Sequence, residues 1–136
     1  MVKKADREIV QQIDKAFAEL IVTLKDLALS VPPENLVRSA AAIEQMCGGL
    51  TANLWDDPFE WTLPETLSNA NRVVEYLSEV DLARARAFNS IDDAALIKYI
   101  SVPSGEPTLL ITLLLETLIK ASDLRGRAAT EGRPYS

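Results

Sequence analysis

The chain contains no histidine and a single cysteine, Cys47. Histidine is the commonest general base and metal ligand near neutral pH, so both roles fall to other residue types here. A zinc site of the ordinary cysteine and histidine kind cannot be assembled from this chain alone. One cysteine also excludes an internal disulfide, which fits a reducing compartment.

Basic charge and long apolar runs are also scarce. The 136 residues carry 14 Lys and Arg against 20 Asp and Glu, a net charge of -6. Nucleic-acid binders and proteins that dock on anionic lipid need a basic surface, so we expect neither partner. The longest apolar stretch, 109–115, is interrupted by Thr112 and is too short to span a bilayer. No apolar signal-peptide core follows Lys3 and Lys4, and we expect a cytoplasmic protein.

What the chain does have is helical periodicity. Its length and its 48% apolar content suit one domain, residues 1–136, with one core. Apolar residues recur at spacings of three and four, as in amphipathic helices, whereas no useful strand-like alternation occurs. We therefore predict an all-α fold. The predicted helices cover residues 5–29, 34–53, 64–88, 92–100 and 108–130.

Prolines, capping residues and glycines mark the helix ends. Residues 32–33 (Pro-Pro) separate the first two helices. Residues 62–65 (Thr-Leu-Pro-Glu) have the pattern of a capping box before the third. Residues 48–49 (Gly-Gly) lie inside the second helix, where each glycine costs about 1 kcal/mol relative to alanine. They predict either a kink or the close approach of another helix.

The last predicted helix resembles a known family. Residues 115–134 read LETLIKASDLRGRAATEGRP, and residues 102–108 before them read VPSGEPT. Both segments are similar to the C-terminal helix and preceding linker of the DinB/YfiT-like superfamily, whose helix commonly ends in His-Arg-Gly-Gln, followed by Gly and Pro. The resemblance implies a DinB-like four-helix bundle, up-down with a longer connection before the last helix.

The same resemblance bears on metal binding. In that superfamily three histidines from the second and fourth helices commonly hold a divalent metal, and several members are associated with metal-dependent thiol transfer. Aligning residues 125–126 (Arg-Gly) places the ligand positions at Gln45, Lys120 and Leu124, none of them histidine. A lysine puts a cation where a cation should bind, and a leucine offers no lone pair. We therefore expect no metal and no cofactor.

Two other interpretations of the polar residues stay open. Thr112, Glu116, Lys120 and Asp123 share one stripe of the last helix, which is either a pocket wall or a solvated stripe. In the second case a Glu116–Lys120 pair would contribute about 0.2–0.5 kcal/mol. A site for a hard cation would instead require Glu44, Glu116 and Asp123 to converge.

Cysteine and the aromatic residues complete the candidates. Cys47 has no base near it in sequence, so a buried core residue is favoured over a nucleophile. Trp55, Phe59 and Trp61 either rim a pocket or interface, or cap the end of the bundle. The candidate pocket residues are Glu44, Gln45, Trp55, Trp61, Glu116, Lys120 and Asp123.

These features predict a non-catalytic DinB-like helical domain that binds a small molecule or a protein partner. Residues 109–119 are apolar on nearly all sides, so the last helix is either central or covered by a partner, and we expect a homodimer through this surface. The alternative is an enzyme similar to the metal-dependent thiol transferases with a rearranged site, which would need oxygen ligands near Glu44, Gln45 and Glu116. A structural or regulatory partner of another protein is a third interpretation.

Overall fold

The computed structural model describes residues 4–62, 64–103 and 105–131, and these ranges are predominantly helical, as predicted. The α-helices are α1 (Glu8–Leu27), α2 (Pro33–Ala52), α3 (Pro64–Ser68), α4 (Ala70–Asn89) and α5 (Leu110–Glu131). Short 3-10 helices cover Lys4–Arg7, Pro58–Trp61 and Asp93–Ile97. The strands β1 (Tyr99–Ile100) and β2 (Thr108–Leu109) form one antiparallel pair.

The continuous helix predicted over 64–88 is wrong, because the chain breaks at Asn69. This residue has an extended backbone, with φ -136° and ψ 117°, and its side chain accepts a hydrogen bond from the Asn71 amide at 2.9 Å. A short polar side chain that binds nearby backbone competes with helix continuation and favours a cap. The segment therefore divides into α3 and α4.

The short helix predicted over 92–100 forms over only part of that range. A 3-10 helix covers Asp93–Ile97, and the Asp92 carboxylate caps it by accepting from the Ala95 amide at 3.0 Å. The chain then turns into β1, where Tyr99 lies opposite Leu109. Strands of two residues are too short to produce an alternating pattern and therefore cannot be predicted from periodicity.

Parts of two predicted motifs lie outside the described residues. Leu63, in the proposed capping box, is one such residue. Thr62 in the same motif is described, and its hydroxyl donates to the Pro58 carbonyl at 3.3 Å. The others are Ser104 in the linker and residues 132–134 at the end of the segment that resembles the DinB/YfiT-like helix.

The long helices pack with defined directions. Arg7, just before α1, donates to the Phe88 carbonyl at the end of α4 at 2.7 Å, so α1 and α4 are antiparallel. Asn35, early in α2, donates to the carboxylate of Glu131 at the end of α5 at 2.6 Å, so this pair is antiparallel as well. The most extensive helix contacts are those of α2 with α5 and with α4.

In contrast, α2 and α4 run in the same direction. Glu44 in the middle of α2 meets Tyr76 in the first half of α4, and Thr51 near the end of α2 faces the same cleft as Arg86 near the end of α4. A parallel pair needs a connection that returns along the helix, which for 20 residues is about 30 Å. The connection between α2 and α4 makes that return, so the up-down order that the resemblance implies is wrong for this pair of helices.

The core lies between these helices. Phe17 of α1 and Phe88 of α4 meet with ring centroids 5.5 Å apart. Where α2 meets the middle of α5 the packed side chains are small, and the buried Ser39 hydroxyl donates to the Ala121 carbonyl at 2.7 Å. Small side chains at this contact let the two helix backbones approach closely.

The last helix is not central. In 109–119 only Leu110 and Leu114 are buried, while Leu115 is 43% exposed and Ile119 is 69% exposed. Of the two interpretations of its apolar character, the central position is therefore wrong. Within the described ranges, no helix is long and apolar enough to cross a membrane.

Candidate functional site

A cleft of about 420 Å³ opens between α2, α4 and the loop 53–61. Ligand pockets commonly have volumes of about 300–1,000 Å³ and apolar walls with a few polar groups. The apolar walls of this cleft include Leu54, Pro58, Trp61 and Ala83. Its charged lining residues are Glu44, Asp56 and Arg86. This combination makes it the strongest candidate binding site in the described part of the chain.

The end of α2 fixes the loop that forms one wall. Asn53 adopts the left-handed conformation with φ 55°, and its amide donates to the Gly49 carbonyl at 3.1 Å. The next amide, that of Leu54, donates to the Gly48 carbonyl at 3.1 Å. This cap is typical of helix C-termini and turns the chain sharply back over α2.

The reversal brings Trp55 onto the glycine pair. A Cβ atom at Gly49 would overlap the Trp55 indole ring, and one at Gly48 would lie 3.0 Å from the Leu54 carbonyl oxygen. The helix α2 continues through both glycines, and their neighbours belong to the following loop and not to another helix. The close approach is made by the loop that follows α2, which corrects the sequence-based interpretation.

Gln45 locks the same loop in place. Its side-chain amide donates to the Trp55 carbonyl at 2.6 Å, and the Trp55 indole NH donates to the Asn53 side chain at 2.9 Å. Trp55 therefore covers the end of α2, whereas Trp61 lines the cleft and is 60% exposed. Of the two roles considered for the aromatic residues, Trp61 lines a pocket, whereas Trp55 caps the end of α2 and also lines a second pocket.

Glu44 sits where the cleft continues into a second pocket. That pocket, of about 290 Å³, shares Glu44, Pro58 and Trp61 with the cleft and reaches Tyr76. The Tyr76 hydroxyl donates to Glu44 Oε1 at 2.7 Å. Burial and this hydrogen bond raise the pKa of Tyr76, so the phenol keeps its proton and remains a donor near neutral pH.

Cys47 lines the cleft from its buried side. The residue is 1% exposed, in agreement with the predicted buried position. Burial raises the pKa of the Cys47 thiol to about 12, although the Arg84 charge opposes the shift. Because the thiolate is the nucleophilic form, this thiol is unreactive at neutral pH.

The three positions aligned with family metal ligands do come together. Gln45 from α2 and Lys120 and Leu124 from α5 line one pocket of about 120 Å³, together with Arg38 and Asp57. The Arg38 guanidinium lies 4.1 Å from the centre of the Phe59 ring beside it. Arg38 and Lys120 bring two positive charges to this pocket against one negative charge from Asp57, and this balance opposes the binding of a metal ion.

The seven candidate pocket residues do not form a single site. Glu44 and Trp61 line the cleft, and Trp55 and Glu116 line a different pocket of about 310 Å³ between α2 and α5, while Gln45 borders both. The Gln45–Trp55 hydrogen bond places the loop between these spaces and separates them.

The polar stripe of α5 also differs from the expected arrangement. Asp123 pairs with Arg127 at 3.1 Å on the exposed surface, and it does not contribute to the cleft. Among the described residues, Glu116 and Lys120 do not form the ion pair that was considered.

The carboxylates do not converge on a cation site. Glu44 bonds to Tyr76 on the α4 side, Glu116 lies on the α5 side, and Asp123 is further along α5. In the described ranges, no group of three cysteine, aspartate or glutamate residues is placed to hold a metal ion. The carboxylate site proposed from sequence is therefore not formed.

Sequence reasoning missed a partly buried ion cluster beside the cleft. Arg84 of α4 has a side chain only 13% exposed, and it contacts Asp14 of α1 and Asp81 of α4, the latter at 2.8 Å. Burial lowers the pKa of Arg84, but the hydrogen bonds to Asp81 and Asp14 outweigh it and raise the pKa overall. The spacing of Asp81 and Arg84 is visible in sequence, while the partner on α1 is not.

Comparisons of the chain with protein-family models, with curated proteins and with solved structures find no match. The similarity to the DinB/YfiT-like superfamily thus depends on the residues around the last helix.

Proposed function

We propose that the chain is a non-catalytic, DinB-like four-helix bundle that binds a small molecule in the cleft between α2, α4 and the loop 53–61. The observation that carries this proposal is the cleft itself, whose volume of about 420 Å³ and apolar walls suit a small ligand. We place the protein in the cytoplasm, where the single cysteine would stay reduced.

The reactive groups at the cleft favour binding over catalysis. The Cys47 thiol is protonated near neutral pH because of its raised pKa. The Thr51 hydroxyl is engaged with its own helix, donating to the Cys47 carbonyl at 2.8 Å. A nucleophile needs a base within hydrogen-bond reach, and neither group has one among the described residues.

Two arrangements support the DinB-like part of the proposal. The positions Gln45, Lys120 and Leu124, which the alignment assigns to one site, line one pocket. The two helices that carry them, α2 and α5, are antiparallel neighbours with extensive contact. The alternative, a thiol transferase with a rearranged metal site, would need converging oxygen ligands, and the positions of Glu44 and Glu116 on opposite sides of the loop give it no support.

Binding of a neutral fluorescent probe tests the proposal. N-phenyl-1-naphthylamine should bind the wild-type protein saturably, with one site per chain. The Ala83→Trp variant fills the cleft from α4 and should weaken binding at least about tenfold, because the apolar contact area is lost. Ala94→Trp, at an exposed alanine outside the cleft, is the matched control and should bind as the wild type does. Equal binding by the wild type and Ala83→Trp would rule the cleft out as the site.

We also propose a homodimer through the exposed apolar face of α5. Leu115 and Ile119 are four residues apart and therefore share a helix face, and both are substantially exposed. Light scattering should give the mass of a dimer for the wild type and that of a monomer for Ile119→Lys. Val22→Lys, at an exposed valine of α1, should remain dimeric. A monomeric wild type at high concentration would contradict this proposal.

A further inference from the structure

Glu44 lines both the cleft and the adjoining pocket, and one of its carboxylate oxygens makes no hydrogen bond within the described part of the chain. Its Oε1 accepts the hydrogen bond from Tyr76, while Oε2 has no hydrogen-bond partner among the described residues. In the same part of the chain, no fully buried side-chain oxygen lacks a partner. The Oε2 atom is therefore open to the cleft or to the pocket that adjoins it, and it can accept from a ligand.

An aromatic ring borders the same space. Trp61 lines both the cleft and the adjoining pocket, as Glu44 does, and its side chain is largely exposed. An indole ring attracts a cation over its face, with a stabilisation of about 0.5–2 kcal/mol that increases when the cation is desolvated. A carboxylate and an indole on one small space are thus complementary to an ammonium group.

The charged residues that line the cleft also favour a cation. Glu44 and Asp56 bring two negative charges to the cleft, against one positive charge from Arg86. The adjoining pocket contains Glu44 and no cationic residue in its described lining. The whole chain, at -6, also attracts cations over long range.

We propose that the cleft recognises an amphipathic organic cation, with its ammonium group between Glu44 and Trp61 and its apolar body along Leu54, Pro58 and Ala83. This inference rests on the proposed binding function and names the class of ligand. The Tyr76 hydroxyl holds the Glu44 carboxylate in position, which reduces the conformational freedom that binding would otherwise remove.

Three small molecules that share a phenylalkyl body and differ in charge provide the test. Calorimetry with 4-phenylbutylamine, 4-phenylbutanol and 4-phenylbutyrate compares a cation, a neutral molecule and an anion. The amine should bind about tenfold more tightly than the alcohol, because it gains a charge-assisted hydrogen bond and a contact with the indole. The carboxylate should bind most weakly.

Variants assign the effect to the residues. Glu44→Gln keeps an acceptor for Tyr76 and the shape of the side chain but removes the charge, so amine affinity should fall about tenfold while alcohol affinity is retained. Glu60→Gln makes the same charge change on the exposed side of the loop, outside the cleft lining, and should leave both affinities unchanged. Trp61→Leu should weaken the binding of the amine more than the binding of the alcohol.

The outcomes separate this inference from the function on which it rests. Equal affinities for the amine and the alcohol, or an unchanged amine affinity in Glu44→Gln, would overturn the cation assignment and leave binding in the cleft intact. Tightest binding of the carboxylate, lost in Arg86→Gln, would overturn it in favour of an anion. If none of the three binds while the neutral naphthylamine probe does, the inference fails alone; if the probe also fails, both fail.

Discussion

The two sides of α2 are built differently. Towards the middle of α5 the helix presents the small, buried Ser39, whose hydroxyl bonds directly to the Ala121 backbone. Towards α4 the same helix carries Glu44, Cys47 and Gly48, and the side chains stand apart far enough to leave the cleft. Close packing contributes stability, and an open polar space contributes a place for a ligand. One helix therefore serves both purposes on opposite faces.

The largest expected difference between the two sides is in stability. Leu114 of α5 is fully buried, and Leu114→Ala should lower the free energy of unfolding by about 2–5 kcal/mol, through lost burial and the cavity left behind. Leu54 on the cleft wall is 63% exposed, and Leu54→Ala should change the free energy of unfolding by less than about 0.5 kcal/mol. Urea denaturation of both variants measures the contrast. Similar losses would mean that the cleft side is packed as tightly as the α5 side.

Two glycine-to-alanine substitutions should change the free energy of unfolding in opposite directions. Gly49→Ala places a Cβ against the Trp55 ring and should destabilise the fold by about 1–3 kcal/mol, with a shift in tryptophan fluorescence. Gly126→Ala in α5 meets open space, so it should stabilise the fold by up to about 1 kcal/mol through helix propensity. Thermal unfolding of the two variants is the measurement. Stabilisation by both would show that Trp55 does not rest on α2.

The smallest expected effect is the change of stability with pH that arises from the Cys47 thiol on the cleft side of α2. Folding raises the pKa of this thiol from 9.0 to about 12, so the native state holds a proton that the unfolded state releases above pH 9. The free energy of unfolding should therefore decrease as pH rises through that window, by up to about 1.4 kcal/mol per pH unit for this one group.

The Cys47→Ala variant isolates this contribution. Between about pH 8 and about pH 10 it should lose less stability than the wild type does, because tyrosine and lysine groups titrate in both proteins and cancel in the difference. Parallel slopes for the two proteins would place the thiol in contact with solvent.

Much of the helical fold could be predicted because its signals are local. The prolines at 32–33 mark the boundary between α1 and α2, and the apolar spacing of α1 follows its buried face. The break at Asn69 was missed because asparagine occurs in helices as well as at their caps, and its own backbone conformation decided the outcome. The two-residue strands left no pattern to detect.

Interactions between distant residues could not be predicted. The Asp93 carboxylate accepts from the Val10 amide at 2.9 Å, and Arg7 reaches the Phe88 carbonyl, so two helix ends are capped by residues more than 80 positions away. The division of the candidate site into separate pockets also depends on contacts that the sequence does not show. Its residues were predicted to share one pocket, but the position of Trp55, set by the left-handed turn after α2, divides that space.

The measurement that most directly tests the account is an amide NMR titration of the labelled protein with N-phenyl-1-naphthylamine. If the cleft is the binding site, the largest shift changes should fall in residues 44–61 and 83–86, and the face of α5 that carries Leu115 and Ile119 should stay unchanged. Shift changes centred on that α5 face, with none around Glu44 and Trp61, would contradict the assignment of function to the cleft.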